Sequence, residues 1–279
     1  MDFLFSSNIL ADYPLKTALI TLAENDISGV EIWVEHLWRL ESPLNEVRKL
    51  MDSLGLKRTL HAPTRDVNIT SSNPGIRKES LNQVLDALDI AYKLGIEVVT
   101  VHPGRMSSSK DTPEEFFDEQ LNSLFAIARK AMQLGLRVAV EVMESKKGEL
   151  VVLPQDLNTL LDAIGIDSLG ATFDIAHAAS FYKGLATIET INDYIVDYMY
   201  QLKRIYNVHV SNSSSRKVHL PLSRGEYDFL PVLSELSSIY SGTVSIEGFV
   251  PGEGMEVLFE NKGVIDRWKR ALLPKGERK

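Results

Sequence analysis

Six side chains able to bind a metal or move a proton stand at or just past the ends of short apolar runs. His61 closes Lys57–His61, His102 follows Glu97–Val101, and His209 lies near the end of Tyr206–Val210. Glu141 closes Arg137–Glu141, Asp174 closes Ala171–Asp174, and Glu247 closes Thr243–Glu247. A carboxylate with apolar neighbours, as in Val138-Ala139-Val140-Glu141-Val142-Met143, is costly to desolvate unless it is paired. A bound cation offsets that cost. Each residue alone reads more simply as a hydrogen-bonded histidine or a salt-bridged carboxylate; six converging on one barrel face predict a divalent-metal site, with a metal-free polar funnel as the residual reading. The chain has no cysteine, which excludes disulfides, thiolate zinc sites and cysteine nucleophiles. Imidazole mixed with carboxylate suits Zn, Mn, Co or Mg and does not choose among them. Asp174 and His177 are three apart, so an imidazole stands on the turn above a strand-end ligand, available to a second metal or to substrate.

The elements that position these residues alternate. With Phe3–Ser7 and Val30–Val34, the apolar runs number eight, and helix-period segments separate them, the pattern of βα units on a parallel sheet. Leu81, Val84, Leu85, Leu88 and Ala91 make one helical face, and Thr112-Pro113-Glu114-Glu115 supplies a cap, an N1 proline and two acids for a helix start. Leu54-Gly55-Leu56, Leu94-Gly95-Ile96 and Leu134-Gly135-Leu136 recur every 40 residues. In each, the glycine can end a helix in the left-handed conformation and the aliphatic residue can open the next strand; chance spacing of three independent caps is the alternative. Eight units without a composition break predict one domain over residues 1–279, a single (β/α)8 TIM barrel with its site at the C-terminal strand ends. An open doubly wound sheet is the runner-up. Neither a Gly-x-Gly-x-x-Gly after the first strand nor a phosphate-binding Gly-x-x-x-x-Gly-Lys-Ser/Thr is present, which argues against nucleotide cofactors.

Thirty Lys and Arg against 38 Asp and Glu give a net charge of −8 over 279 residues, which favours small-molecule chemistry over a strongly basic nucleic-acid surface. Without a basic leader or an 18-residue apolar run, the expectation is a cytoplasmic protein that does not engage a membrane.

At these residues the chain resembles the xylose isomerase-like barrel superfamily, which includes sugar and sugar-phosphate isomerases, ketose 3-epimerases and the endonuclease IV family. His61-Ala62-Pro63, His102-Pro103-Gly104, Glu141, Asp174 with His177, His209-Val210-Ser211-Asn212, His219 and Glu247 carry the resemblance, in the family's order across nearly the whole chain. The isomerase and epimerase branch implies one metal on Glu141, Asp174, His209 and Glu247, with both glutamates placed for proton transfer through an enediolate. It also implies substrate contacts from His177 and, by a looser match, Arg216. The implied partner is a small sugar, ketose or sugar phosphate; a homo-oligomer is left open.

The endonuclease IV branch is the alternative: a metal-dependent phosphodiesterase acting at abasic sites in DNA. It adds His61 and His102 to Glu141 for another metal. Its third metal would use His177 and an Asp-x-His pair, but that pair reads Lys217-Val218-His219, and an ammonium cannot coordinate. Asn212 also stands where an aspartate is common. The loop Asn212 to Lys217 has the serine and basic content of a phosphate contact, although mobile polar loops share that composition. Trp33, Glu35, His36 and Trp38 are candidates for one wall of the pocket, with Trp33 and His36 offered to substrate beside His219. Ser71–Arg77 and Met106–Lys110 are long enough for lids. Outside catalysis, the same residues fit a ligand-binding barrel with a structural metal.

Overall fold

The computed structural model describes residues 1–39, 43–214 and 217–273, so Arg216 lies outside the described residues. Eight strands, β1 (Asp2–Ser6), β2 (Gly29–Trp33), β3 (Lys57–His61), β4 (Val98–Val101), β5 (Arg137–Glu141), β6 (Leu169–Asp174), β7 (Ile205–Val210) and β8 (Thr243–Ile246), close into a barrel in sequence order. Neighbours pair in parallel, including β1 with β8 across the seam. Helices connect the strands and bury their apolar faces on the outside of the ring. In the helix Pro74–Leu94, Val84, Leu88 and Ala91 are buried, and Leu81 and Leu85 pack against the same core.

The 40-residue spacing has a structural cause. The amides of Leu56, Ile96 and Leu136 donate to the carbonyls of Met51, Ala91 and Ala131, five residues back, at 2.9–3.1 Å. Each preceding glycine has φ between 65° and 69°. This is a Schellman stop repeated three times, each followed by a strand.

Six strands have boundaries shifted by one or two residues from expectation, β1 and β8 among them, and one loop differs. Ser6 ends β1 because its hydroxyl accepts the Asn8 amide at 3.2 Å and turns the chain into a short 3-10 helix. Glu247 lies one residue past β8, although its amide still donates to Val210 at 3.0 Å. Ser71–Arg77 is not one continuous loop: Asn73 caps the amides of Gly75 and Ile76, so the helix begins at Pro74. Met106–Lys110 is tied at both sides, by the Met106 amide to Gly148 and by the Ser107 hydroxyl accepting from Ser72.

A polar layer fills the barrel below its C-terminal mouth. Thr100 and Thr172 meet through their hydroxyls at 3.0 Å, and Asn207 donates to Thr100 at 3.1 Å and to Glu31 at 2.9 Å. These contacts join strands that are not neighbours in the ring, so the side chains cross its interior. Alternation on a strand then carries the same face upward two residues. Thr59 leads to His61, Thr100 to His102, Thr172 to Asp174, Asn207 to His209, and Ser245 to Glu247.

Candidate metal centre

That pleat delivers one chemical group per strand to the mouth. Glu141 is the hub. Its Oε2 lies 3.4 Å from Nε2 of His61 and 3.0 Å from Nε2 of His102, while its Oε1 lies 3.3 Å from Nδ1 of His209. The same His209 nitrogen is 3.3 Å from Oε2 of Glu247. Potential ligand atoms of Glu141, Asp174, His209 and Glu247 all lie within 4.8 Å of one another, and those of His61, His102 and Glu141 form a second such group. Glu141 therefore belongs to both.

Local hydrogen bonds aim the imidazoles. A carbonyl can only accept, so Nδ1 of His61 donates to Ala62 and Nδ1 of His177 donates to Val142, each at 2.8 Å. Both rings are left with Nε2 available to the pocket. Asp174 accepts the His177 amide at 2.7 Å as the cap of the helix Ile175–Tyr182. His177 and His219 meet through Nε2 atoms 3.2 Å apart. The loop after β8 holds His219, whose carbonyl accepts the Phe249 amide and whose φ is 56°.

The electrostatics are those of charges packed together in a largely buried site. Burial, reinforced by Glu141, pushes Asp174 up to about 7. Burial opposes charge on Glu141 as well, yet His209 beside it and hydrogen bonds from His102 and His61 hold its carboxyl well below the usual range. Burial would lower His61, but Glu141, Glu247 and Glu31 push it up to about 9. Oδ2 of Asp174 and Oε1 of Glu247 are buried without a hydrogen-bond partner. Oε2 of Glu31 is a further buried oxygen without such a partner, but Asp174 and Glu247 belong to one candidate group, where a divalent cation would satisfy their orphaned oxygens and the donor set fits one.

Not every expected residue joins this cluster. Trp33 does, stacked on His61. His36 instead directs Nε2 to the Tyr13 carbonyl at 2.9 Å, and burial lowers its pKa. Glu35 accepts the amides of Thr64 at 2.7 Å and Arg65 at 3.2 Å, anchoring the loop after β3. Trp38 is 57% exposed. Asn212 is spent on structure, donating to the carbonyls of Leu222 and Tyr227 and accepting the Ser213 amide; an aspartate could not make the first two bonds. Lys217 is exposed. Glu31 went unread in the sequence, although Glu31-Ile32-Trp33 carries the same two-residue step as Thr59-Leu60-His61.

The fold is a closed eight-stranded α/β barrel with a candidate His, Glu and Asp metal site at its mouth, and the chain belongs to the xylose isomerase-like TIM barrel family, whose model matches residues 20–268. An uncharacterized protein of Methanocaldococcus jannaschii is 30% identical over 252 residues, 88% of this chain and 83% of that protein. A 2-oxo-tetronate isomerase of Haemophilus influenzae is 24% identical, covering 79% of this chain and 84% of its own. A probable endonuclease 4 of Thermoplasma acidophilum is 25% identical over 65% of this chain and 60% of its own. Among solved structures, a D-tagatose 3-epimerase-like protein superposes with a TM-score of 0.80 at 25% identity, covering 98% of this chain and all of the other. The IolI protein with a bound zinc atom has a TM-score of 0.76 at 18% identity, covering 98% of this chain and 99% of its own. Among the described residues no helix is long and apolar enough to cross a membrane.

Proposed function

We propose that the protein is a divalent-metal-dependent isomerase or epimerase of a small sugar, ketose or sugar phosphate. One observation carries the reading: the buried carboxylates of Glu141 and Glu247 flank the same nitrogen of His209, each at 3.3 Å. Glu141, Asp174, His209 and Glu247 would hold the cation. The chemistry a cation supplies there is electrophilic, lowering the cost of negative charge on a carbonyl and its neighbouring hydroxyl oxygen. One glutamate takes the proton from the carbon beside the carbonyl, and its carboxylate becomes a carboxylic acid. The other glutamate must enter the cycle as the carboxylic acid; its proton delivered to the opposite face inverts that carbon, or delivered to the neighbouring carbon, with a hydroxyl proton moving to the former carbonyl oxygen, moves the carbonyl, and the two glutamates end with their protonation exchanged. His177 and His219 would bind substrate hydroxyls, and Trp33 would bound the pocket beside His61. The sugar epimerase likeness and the 2-oxo-tetronate isomerase relative support this reading, and the zinc in IolI supports the cofactor class.

The test is exchange of substrate hydrogen with solvent deuterium across a panel of ketoses and sugar phosphates, comparing the unaltered chain with Glu247→Gln. A fall of about 10²–10⁴-fold in the variant is expected for loss of a proton-transfer group; unchanged exchange, or none with any substrate, would sink the reading.

A second reading, an endonuclease IV-like phosphodiesterase, is favoured by the additional His61, His102 and Glu141 group and the endonuclease 4 relatives. Exposed Lys217 in place of an aspartate ligand counts against a third metal. Metal-dependent incision of an abasic oligonucleotide, abolished in His61→Ala, would bring this reading to the front.

A further inference from the structure

His209 is held on both ring nitrogens. Nδ1 faces Glu141 and Glu247, whereas Nε2 lies 3.2 Å from Oε1 and 3.0 Å from Oε2 of Glu31. Glu31 is fully buried on β2 and belongs to none of the four candidate cation groups found among the described residues. Its Oε1 also accepts from Asn207 at 2.9 Å and from the Thr59 hydroxyl at 3.2 Å.

A carboxyl group in that volume carries a desolvation cost that an apolar side chain would avoid, so its directed bonds are what distinguish it. A neutral imidazole has one N–H. If the hydrogen sits on Nδ1, the ring presents a donor to the cation position and cannot coordinate; if it sits on Nε2, the Nδ1 lone pair faces the pocket. Asn207 does not favour the first arrangement, although its Nδ2 is 3.1 Å from Nε2. The two amide hydrogens have acceptors in Glu31 Oε1 and Thr100 Oγ1, and Thr243 donates to the amide oxygen at 3.0 Å. The remaining donor for Glu31 on this side is Nε2–H.

Resting on the metal reading above, we propose that Glu31 is a positioning residue for the metal centre, holding His209 by Nε2–H so that Nδ1 is the coordinating atom. Carboxylates in this outer position set ring orientation and ligand basicity, and their loss typically weakens metal binding 10–100-fold.

The experiment titrates the metal-free full chain with zinc against a competing chelator, for the unaltered protein, Glu31→Gln and Glu31→Leu. In parallel, long-range 1H–15N spectra of the zinc-loaded unaltered protein report which nitrogen of His209 carries hydrogen. Expected are a protonated Nε2, zinc affinity roughly 10–100-fold weaker in Glu31→Leu, and recovery of most of that loss in Glu31→Gln, whose side-chain oxygen still accepts. Zinc on Nε2 would overturn the proposal without recourse to any variant, so a folding failure of Glu31→Leu leaves it testable. Undiminished affinity in Glu31→Leu, or equal weakening in both variants, would also overturn it. Failure of the unaltered chain to take up zinc would instead remove the metal reading on which it rests, and the proposal with it.

Discussion

The indole of Trp33 lies flat on the imidazole of His61, ring centroids 4.2 Å apart and planes 21° from parallel. β2 and β3 place the two residues directly opposite in register. The indole thus limits ring tilt, while the Ala62 carbonyl fixes rotation through Nδ1. In Trp33→Ala the ring regains freedom. The expected result is about tenfold weaker retention of an ion at the His61, His102 and Glu141 group, with the ion at Asp174 and Glu247 kept. Metal content per chain after dialysis checks this; parallel loss of both ions would contradict it.

Chelation should cost stability. A ligand that binds only the folded chain at a hundred times its dissociation constant contributes about 2.7 kcal/mol, which for a domain of this size moves the melting temperature by roughly 5 °C. Calorimetry before and after chelator treatment, with zinc restored, should show a reversible shift of that order in the unaltered chain. The shift should shrink in Asp174→Asn, which removes an anionic ligand without changing side-chain size.

Asn212→Asp exchanges two amide hydrogens for a second oxygen. The Leu222 and Tyr227 carbonyls, now 2.8–2.9 Å from a donor, would face a carboxylate oxygen instead. A cost of about 3 kcal/mol is expected from two lost bonds in a buried setting. Urea unfolding measures it, and a change below about 0.5 kcal/mol, the range of neutral surface substitutions, would show that the amide is not needed.

Most of the barrel and the clustering of the candidate ligands were readable because both follow from strand alternation. A polar residue ending an apolar run sits on the same face as the residue two before it, and closure turns that face inward. The same rule reaches Glu31, but Glu31 lies inside its run rather than at the end, so reading only strand ends passed over it. Asn212 has the opposite lesson: its type suggested altered substrate chemistry, whereas its partners are carbonyls supplied 10 and 15 residues later, a pairing created by the loop's path. His36 and Trp38 follow β2 closely in sequence, but the short helix Val34–Leu37 gives them different environments.

Glu35→Ala should loosen the loop that follows His61. The amides of Thr64 and Arg65 lose their common acceptor, and because both bonds are only part-buried the expected cost is about 1–2 kcal/mol. Hydrogen exchange at these two amides should accelerate at least tenfold, while exchange in β6 stays slow. Unchanged protection at Thr64 would refute the anchoring role.

The seam between β8 and β1 gives the centre a place in the order of folding. His209 takes one flank from Glu247, after the last strand, and the other from Glu31 on the second strand. Asp2 to Phe5 of β1 pair with Thr243 to Ile246 of β8 between those flanks. A growing chain that has made β3 through β7 already owns five of the six strand-end groups, yet His209 has no carboxylate from β8 until the ring is joined. Capture of an ion by the Glu141, Asp174, His209 and Glu247 group would therefore be a late event, one that waits for β8 to close the ring against β1.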